Sequence, residues 1–138
     1  MAQEEVAVEL SPSQVVSREL HEILQHLQAG LAGTLGSVLV DDQGFPLAWD
    51  LKGGADVSLI ATASAAVARV CERGADALDF GQVRNAVIAT DKGSVALFRV
   101  SAHTGLVVLL QPSTNNILVM VEVNKALDAL RQVIASGF

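Results

Sequence analysis

Residues 83–110 read VRNAVIATDKGSVALFRVSAHTGLVVLL, three β-prone runs in close succession: Val83 to Thr90, Ser94 to Val100 and Leu106 to Leu110. Asp91-Lys92-Gly93 makes a tight turn between the first two, and the Ser101 to Gly105 segment makes the second. Turns this short carry no helical crossover, so the three strands form an antiparallel meander. Working back along the chain, Ser37-Val38-Leu39-Val40 and Phe45-Pro46-Leu47-Ala48-Trp49 flank Asp41-Asp42-Gln43-Gly44, a hairpin signal.

Between hairpin and meander, Gly53-Gly54 breaks the chain and Asp56 can cap a long Ala-rich helix from Val57 to about Leu78, with Gly74 late within it. This second helix carries two apolar stripes. Val57, Ile60, Ser64, Val67 and Cys71 form one, and Leu59, Ala63, Ala66 and Val70 form the next. Only the line of Ser58, Thr62, Ala65, Arg69 and Glu72 reads as wet. One sheet covers one stripe, so a helix with so wide an apolar arc and so many small side chains sits in the core or packs on a second helix.

A first helix is predicted from Ser11-Pro12-Ser13-Gln14, which supplies an N-cap, a proline for the first helical position and a Gln to close a capping box. Val16, Leu20, Ile23, Leu24, Leu27 and Leu31 give its apolar stripe, Gly30 and Gly33 end it, and Arg18, His21, Gln25 and Gln28 fall on its wet side. A third helix is capped by Asn115 or Asn116 and runs to about Ser136, with Ile117, Val121, Leu127, Leu130 and Ile134 mostly on one face. The order is α-β-β-α-β-β-β-α, an α+β chain.

The 138 residues suit one domain, expected over residues 11–138, behind an acidic tail at residues 1–10 in which Val6, Val8 and Leu10 can add a short extended piece. Hydrophobic residues make up 51% and charged residues 17%, which excludes disordered and fibrous classes. A domain of this length buries roughly two-thirds of its unfolded surface, so much apolar sequence implies an oligomer. Nine Lys and Arg stand against fifteen Asp and Glu, three of the acids being Glu4, Glu5 and Glu9. That balance offers no basic patch for nucleic acid. The N-terminus has neither positive charge nor an apolar h-region, and no run is continuously apolar over the roughly twenty residues of a membrane span. A cytoplasmic protein without membrane insertion is expected.

Candidate chemistry is sparse. His21 and His26 in His21-Glu22-Ile23-Leu24-Gln25-His26 are five apart, about 140° round a helix, so they do not share a metal as a zinc-protease pair does. Glu22 and His26 read instead as an exposed i,i+4 pair, and His103 as a solvated turn residue. Neither a phosphate-cradling glycine loop nor a nucleophile elbow is present. Cys71, the one cysteine, sits mid-helix among apolar neighbours and reads as inert packing. Asp41-Asp42 is explained by turn geometry and Trp49 by a core edge. No catalytic, cofactor or metal residue is assigned.

The order of elements, with L-V-D-D-Q-G and F-P-L-A-W in the first hairpin, A-T-A-S-A-A-V-A-R-V in the second helix and A-T-D-K-G-S-V-A-L-F in the meander, resembles the Roadblock/dynein light-chain family over roughly residues 13–136. The resemblance implies a five-stranded antiparallel sheet with helices one and three on one face and helix two on the other. It implies a dimer in which helix two packs on its partner and the edge of the third strand pairs across the interface. That fits the surplus apolar stripe and the proline-free strand. Val57, Ile60, Ser64, Val67, Cys71, Arg84, Ala86 and Ile88 are the interface residues so expected, and Ser58, Thr62, Arg69, Glu72 and Arg73 the partner-binding face. Family members act as non-enzymatic platforms that bind and regulate small Ras-like GTPases. Such a platform needs no arginine finger, because stabilising the competent state of the GTPase suffices. A small-molecule sensory domain is the alternative. It needs a pocket between sheet and helix, and a chain without Tyr whose apolar residues are mainly Ala, Val and Leu is expected to leave little cavity.

Overall fold

Ser11 starts the first helix as its sequence predicts: its Oγ accepts from the Gln14 N–H while Gln14 Oε1 accepts from the Ser11 N–H, so two otherwise orphaned donors satisfy each other's residues. The computed structural model describes residues 11–112 and 114–137, and the expected acidic tail at residues 1–10 lies outside them. The elements are α1 (Pro12–Gly30), β1 (Thr34–Asp41), β2 (Pro46–Leu51), α2 (Val57–Ala77), β3 (Asn85–Thr90), β4 (Gly93–Ser101), β5 (Thr104–Leu110) and α3 (Asn116–Gly137). Asp56 caps α2 by accepting from the Leu59 N–H, and Asn115 caps α3 by accepting from Ile117 and Leu118.

The strands form one antiparallel sheet in the order β2-β1-β5-β4-β3. Alternation along each strand divides the apolar side chains between two faces. Leu39, Phe98, Leu106 and Val108 meet Leu20, Leu24 and Leu27 of α1 and Val119, Val123 and Leu130 of α3. Val38, Val40, Leu97 and Val107 point the other way, under Ala61 and Ala65 of α2. Helices α1 and α3 therefore share one face, and α2 lies alone on the other.

Several local expectations are corrected. β1 starts at Thr34 rather than Ser37, because the strand passes through Gly36 in a bulge at φ 142°, where a Cβ would lie 2.5 Å from the Asp50 carbonyl. β3 starts at Asn85 rather than Val83; the Val83 and Arg84 carbonyls accept instead from Arg99, through Nε and the backbone N–H. In α3, Ile117 and Val121 are exposed, while Val119, Val123, Ala126, Leu127 and Leu130 are buried. Positions two apart on a helix point roughly 200° away from each other, so only one of the two lines can face in. The line of Val119, Val123, Ala126, Leu127 and Leu130 faces in because it packs against the α1 leucines and the sheet. Gln28, expected wet, is half-buried and donates through Nε2 to the Thr34 carbonyl.

Leu130 is fully buried, so Leu130→Ala is expected to lower the unfolding free energy by about 2–5 kcal/mol. Gly36→Ala, with no space for its methyl, is expected to lower it by at least about 1 kcal/mol. Urea unfolding of both variants checks this, and an unchanged midpoint for Gly36→Ala would show that the bulge admits a side chain.

Candidate interaction surface

α2 lies close on the sheet through small residues. Ala61, Ser64 and Ala65 are its buried positions, and a Cβ on Gly44 in the β1–β2 turn would stand 3.3 Å from the Thr62 Cα. That turn, rising beneath the helix, covers Ala65, which the helical pattern had placed on the wet line. Val57, Ile60, Val67 and Cys71 are half-buried beside it, so the first apolar stripe, with Ser64, faces the helix's own sheet. The second faces outward: Leu59 is 65% exposed and Val70 61%, with Ala63 and Ala66 exposed between them.

Among the described residues β3 is bonded on one side only, to β4. Ala86 and Ile88 pair with Leu97 and Val95 on the α2 face of the sheet, and Val87, 62% exposed, stands on the opposite face. Arg84, just before the strand, is exposed. The helix thus presents an exposed apolar stripe, and β3 an edge without a strand partner among the described residues, features that a second chain can extend.

Charged side chains fasten the end of α2 to this edge. Glu72 Oε1 accepts from the Val83 N–H at 2.9 Å and Oε2 pairs with Arg99 Nη2 at 2.7 Å, while Arg99 Nε donates to the Val83 carbonyl at 2.9 Å. Partial burial works to raise the Glu72 pKa, but the Val83 hydrogen bond and the Arg99 charge outweigh it and leave the carboxyl below its ordinary value. Of the expected partner-binding face, Ser58, Thr62, Arg69 and Arg73 are exposed, whereas Glu72 is half-buried and held by Arg99. A second fastening was not legible in the pattern. His103 Nδ1 is hydrogen-bonded to Asp42 Oδ2 at 2.7 Å, and Arg69 Nη1 donates to the Asp42 carbonyl at 3.0 Å. His103 is exposed but not without a partner, since the β1–β2 and β4–β5 turns meet there.

α2 lies over β1 and β2 and stops short of β3, leaving the outer part of its sheet face bare. A groove of about 460 Å³ results, floored by Leu97, Val107 and Ala65 and bordered by Arg73 and Arg84, with Cys71 in its wall. This corrects the expectation of little cavity: the bare area is set by where the helix crosses, not by side-chain size. Asp41 serves its turn, Oδ1 accepting from the Gln43 and Phe45 N–H groups. Glu22 and His26 are exposed and form no ion pair among the described residues. Among those residues no three His, Cys, Asp or Glu side chains gather as a cation site. Trp49 on the edge strand β2 is 44% exposed. No helix among the described residues is long and apolar enough to cross a membrane.

Residues 20–110 match the family model of the Roadblock/LC7 domain. Among solved structures, a Roadblock/LC7 domain from Streptomyces avermitilis aligns at TM-score 0.79 and 15% identity, over 84% of this chain and 98% of the other. The gliding protein MglB from Thermus thermophilus aligns at TM-score 0.79 and 17% identity, over 96% and 97%. MglB from Myxococcus xanthus gives 0.78 and 17%, over 96% and 97%. These similarities are of fold. No curated protein matches the chain.

The lowered Glu72 pKa implies stability present above the unfolded value, about 4.5, and lost as pH falls through the folded one. Glu72→Gln is expected to destabilise by less than about 1 kcal/mol at pH 7, as befits a partly exposed pair. The difference between parent and variant should close as the pH is lowered from about 5 towards 3, measured by urea midpoints across that range.

Proposed function

The chain belongs to the Roadblock/LC7 family, and from that premise we propose that it is a dimeric, non-enzymatic platform that binds and regulates a small Ras-like GTPase in the cytoplasm. The family is one of regulatory and adaptor domains. The observations that carry the reading are the outward stripe Leu59, Ala63, Ala66 and Val70 and the β3 edge, which has no strand partner among the described residues. In a chain of mean hydropathy +0.43, so exposed an apolar stripe supports a surface for a second apolar chain. A two-fold axis lets one patch serve both copies. Val57, Ile60, Ser64, Val67 and Cys71 define the helix involved, and Arg84, Ala86 and Ile88 the strand; Leu59 and Val70 bring the greater exposed area.

Ser58, Thr62, Arg69 and Arg73, all exposed on α2, are the proposed GTPase face, with Glu72 holding the helix end in place. Regulation there acts by tighter binding to one state of the partner, shifting its population without a residue entering its active site. One structural neighbour is described as MglB with a tetrameric arrangement, which supports self-association as a habit of the fold.

A second reading, a small-molecule sensory domain, is favoured by the groove beside α2. Ligand-induced stabilisation of the purified protein would speak for it.

Light scattering of the parent is expected to give twice the chain mass, and Val70→Glu and Ile88→Lys are each expected to return it to one. Charge reversal at Arg69 and Arg73 should leave the dimer intact and reduce retention of a small GTPase in pull-downs. A monomeric parent would overturn the interface, and unchanged retention by the reversed variants would overturn the assigned face.

A further inference from the structure

We propose that the groove between α1 and α3, on the face of the sheet away from α2, receives an amphipathic helix of a partner protein whose flanking Lys or Arg side chains are set against Glu19 and Glu22. The groove has a volume of about 350 Å³. Its floor is Ile23 and Leu27 from α1 with Ala126 and Ala129 from α3. Leu27 and Ala126 are buried, Ile23 and Ala129 half-buried, so the short side chains of α3 leave apolar surface open beside the longer ones of α1. Glu19, Glu22 and His26 make one wall, recurring at three and four residues along α1, and Glu122 and Lys125 make the other.

The charges select the occupant. Glu122 Oε2 is paired with Lys125 Nζ at 3.2 Å, whereas Glu19 and Glu22 are exposed and form no ion pair among the described residues. Three residues apart, they are neighbours on the helix surface, two uncompensated carboxylates in a chain of net charge −6. A nucleic acid, an anionic lipid surface or the same groove of a second copy would each bring more negative charge to them, and a cationic flank is attracted by both. The backbone selects a helix. An extended peptide binds by adding its N–H and C=O groups to a strand edge, and two helices, whose backbone groups are bonded internally, offer no such row. A helix brings its own hydrogen bonds and lays apolar side chains at i, i+3, i+4 and i+7 between the two others. The site lies across the sheet from α2, so under the proposed function the chain joins a second protein to the GTPase without competition. That consequence rests on the function proposed above, whereas the docking itself does not.

The probe is a fluorescein-labelled helical peptide of about 18 residues, with Leu at i, i+3, i+4 and i+7 and Lys beside them, titrated with the full chain by fluorescence anisotropy. A scrambled peptide of the same composition is the control. The parent is expected to bind the patterned peptide and not the scrambled one. E19K/E22K, which changes exposed positions, is expected to keep the parent's urea midpoint and to bind about tenfold more weakly, the scale of two exposed pairs turned repulsive. A patterned peptide with Glu in place of Lys should recover the lost affinity on E19K/E22K. Ala129→Phe, which fills the floor without changing charge, should also weaken binding, and Val70→Glu on α2 should leave it unchanged whether the parent is a dimer or a monomer. No binding by the parent, equal affinity for patterned and scrambled peptides, or equal affinity of parent and E19K/E22K overturns the proposal. So does loss of binding in Val70→Glu, which would put the peptide on the α2 stripe.

Discussion

The five-stranded sheet is apolar on both faces, and the chain has two helices to cover one face and a single helix for the other. β1 and β5 set this up at the centre: Val38 and Val107 point one way, Leu39 and Leu106 the other, and all four are buried. With α1 and α3 together, one face closes over a continuous core. With α2 alone, the other closes over β1 and β2 and remains bare towards β3. The groove descends from that shortage of cover. Burying apolar area is the main stabilising term of folding, so an uncovered remainder is where association gains most.

α2 answers two demands at once. Its sheet side uses Ala61, Ser64 and Ala65, small enough for the backbone to lie close and for the Gly44 turn to rise beneath it. Its outer side keeps Leu59 and Val70, larger groups that stand mostly exposed. The helix is held in position at its far end by Glu72 and near its middle by Arg69. These contacts are partly exposed, so each contributes little to stability, but they fix where the arginines and the apolar stripe stand relative to β3. A docking face depends on such placement more than on the strength of any one pair.

Much of the architecture was legible in the chain because the signals are short-ranged. Ser11, Asp56 and Asn115 cap their helices through backbone donors two or three residues away, and the Asp91-Lys92-Gly93 turn joins neighbouring strands. Periodicity chose correctly for α1, whose Leu20, Leu24, Leu27 and Leu31 are buried. It chose wrongly for the start of α3, where two equally regular apolar lines compete and packing on α1 and the sheet selects the line of Val119 and Val123. On α2 it found both stripes, but which of them faces out is set by the sheet.

By itself, then, the sequence determined the element order, the antiparallel meander, the helix caps and the surplus of apolar surface, since each rests on contacts or periodicities within a few residues. Tertiary structure alone decided that Glu72 meets Arg99, that Asp42 meets His103 across 61 residues, and that a groove opens between α2 and β3. Those depend on the angle at which one helix crosses a twisted sheet, a property of the assembled layers that no local run of side chains encodes.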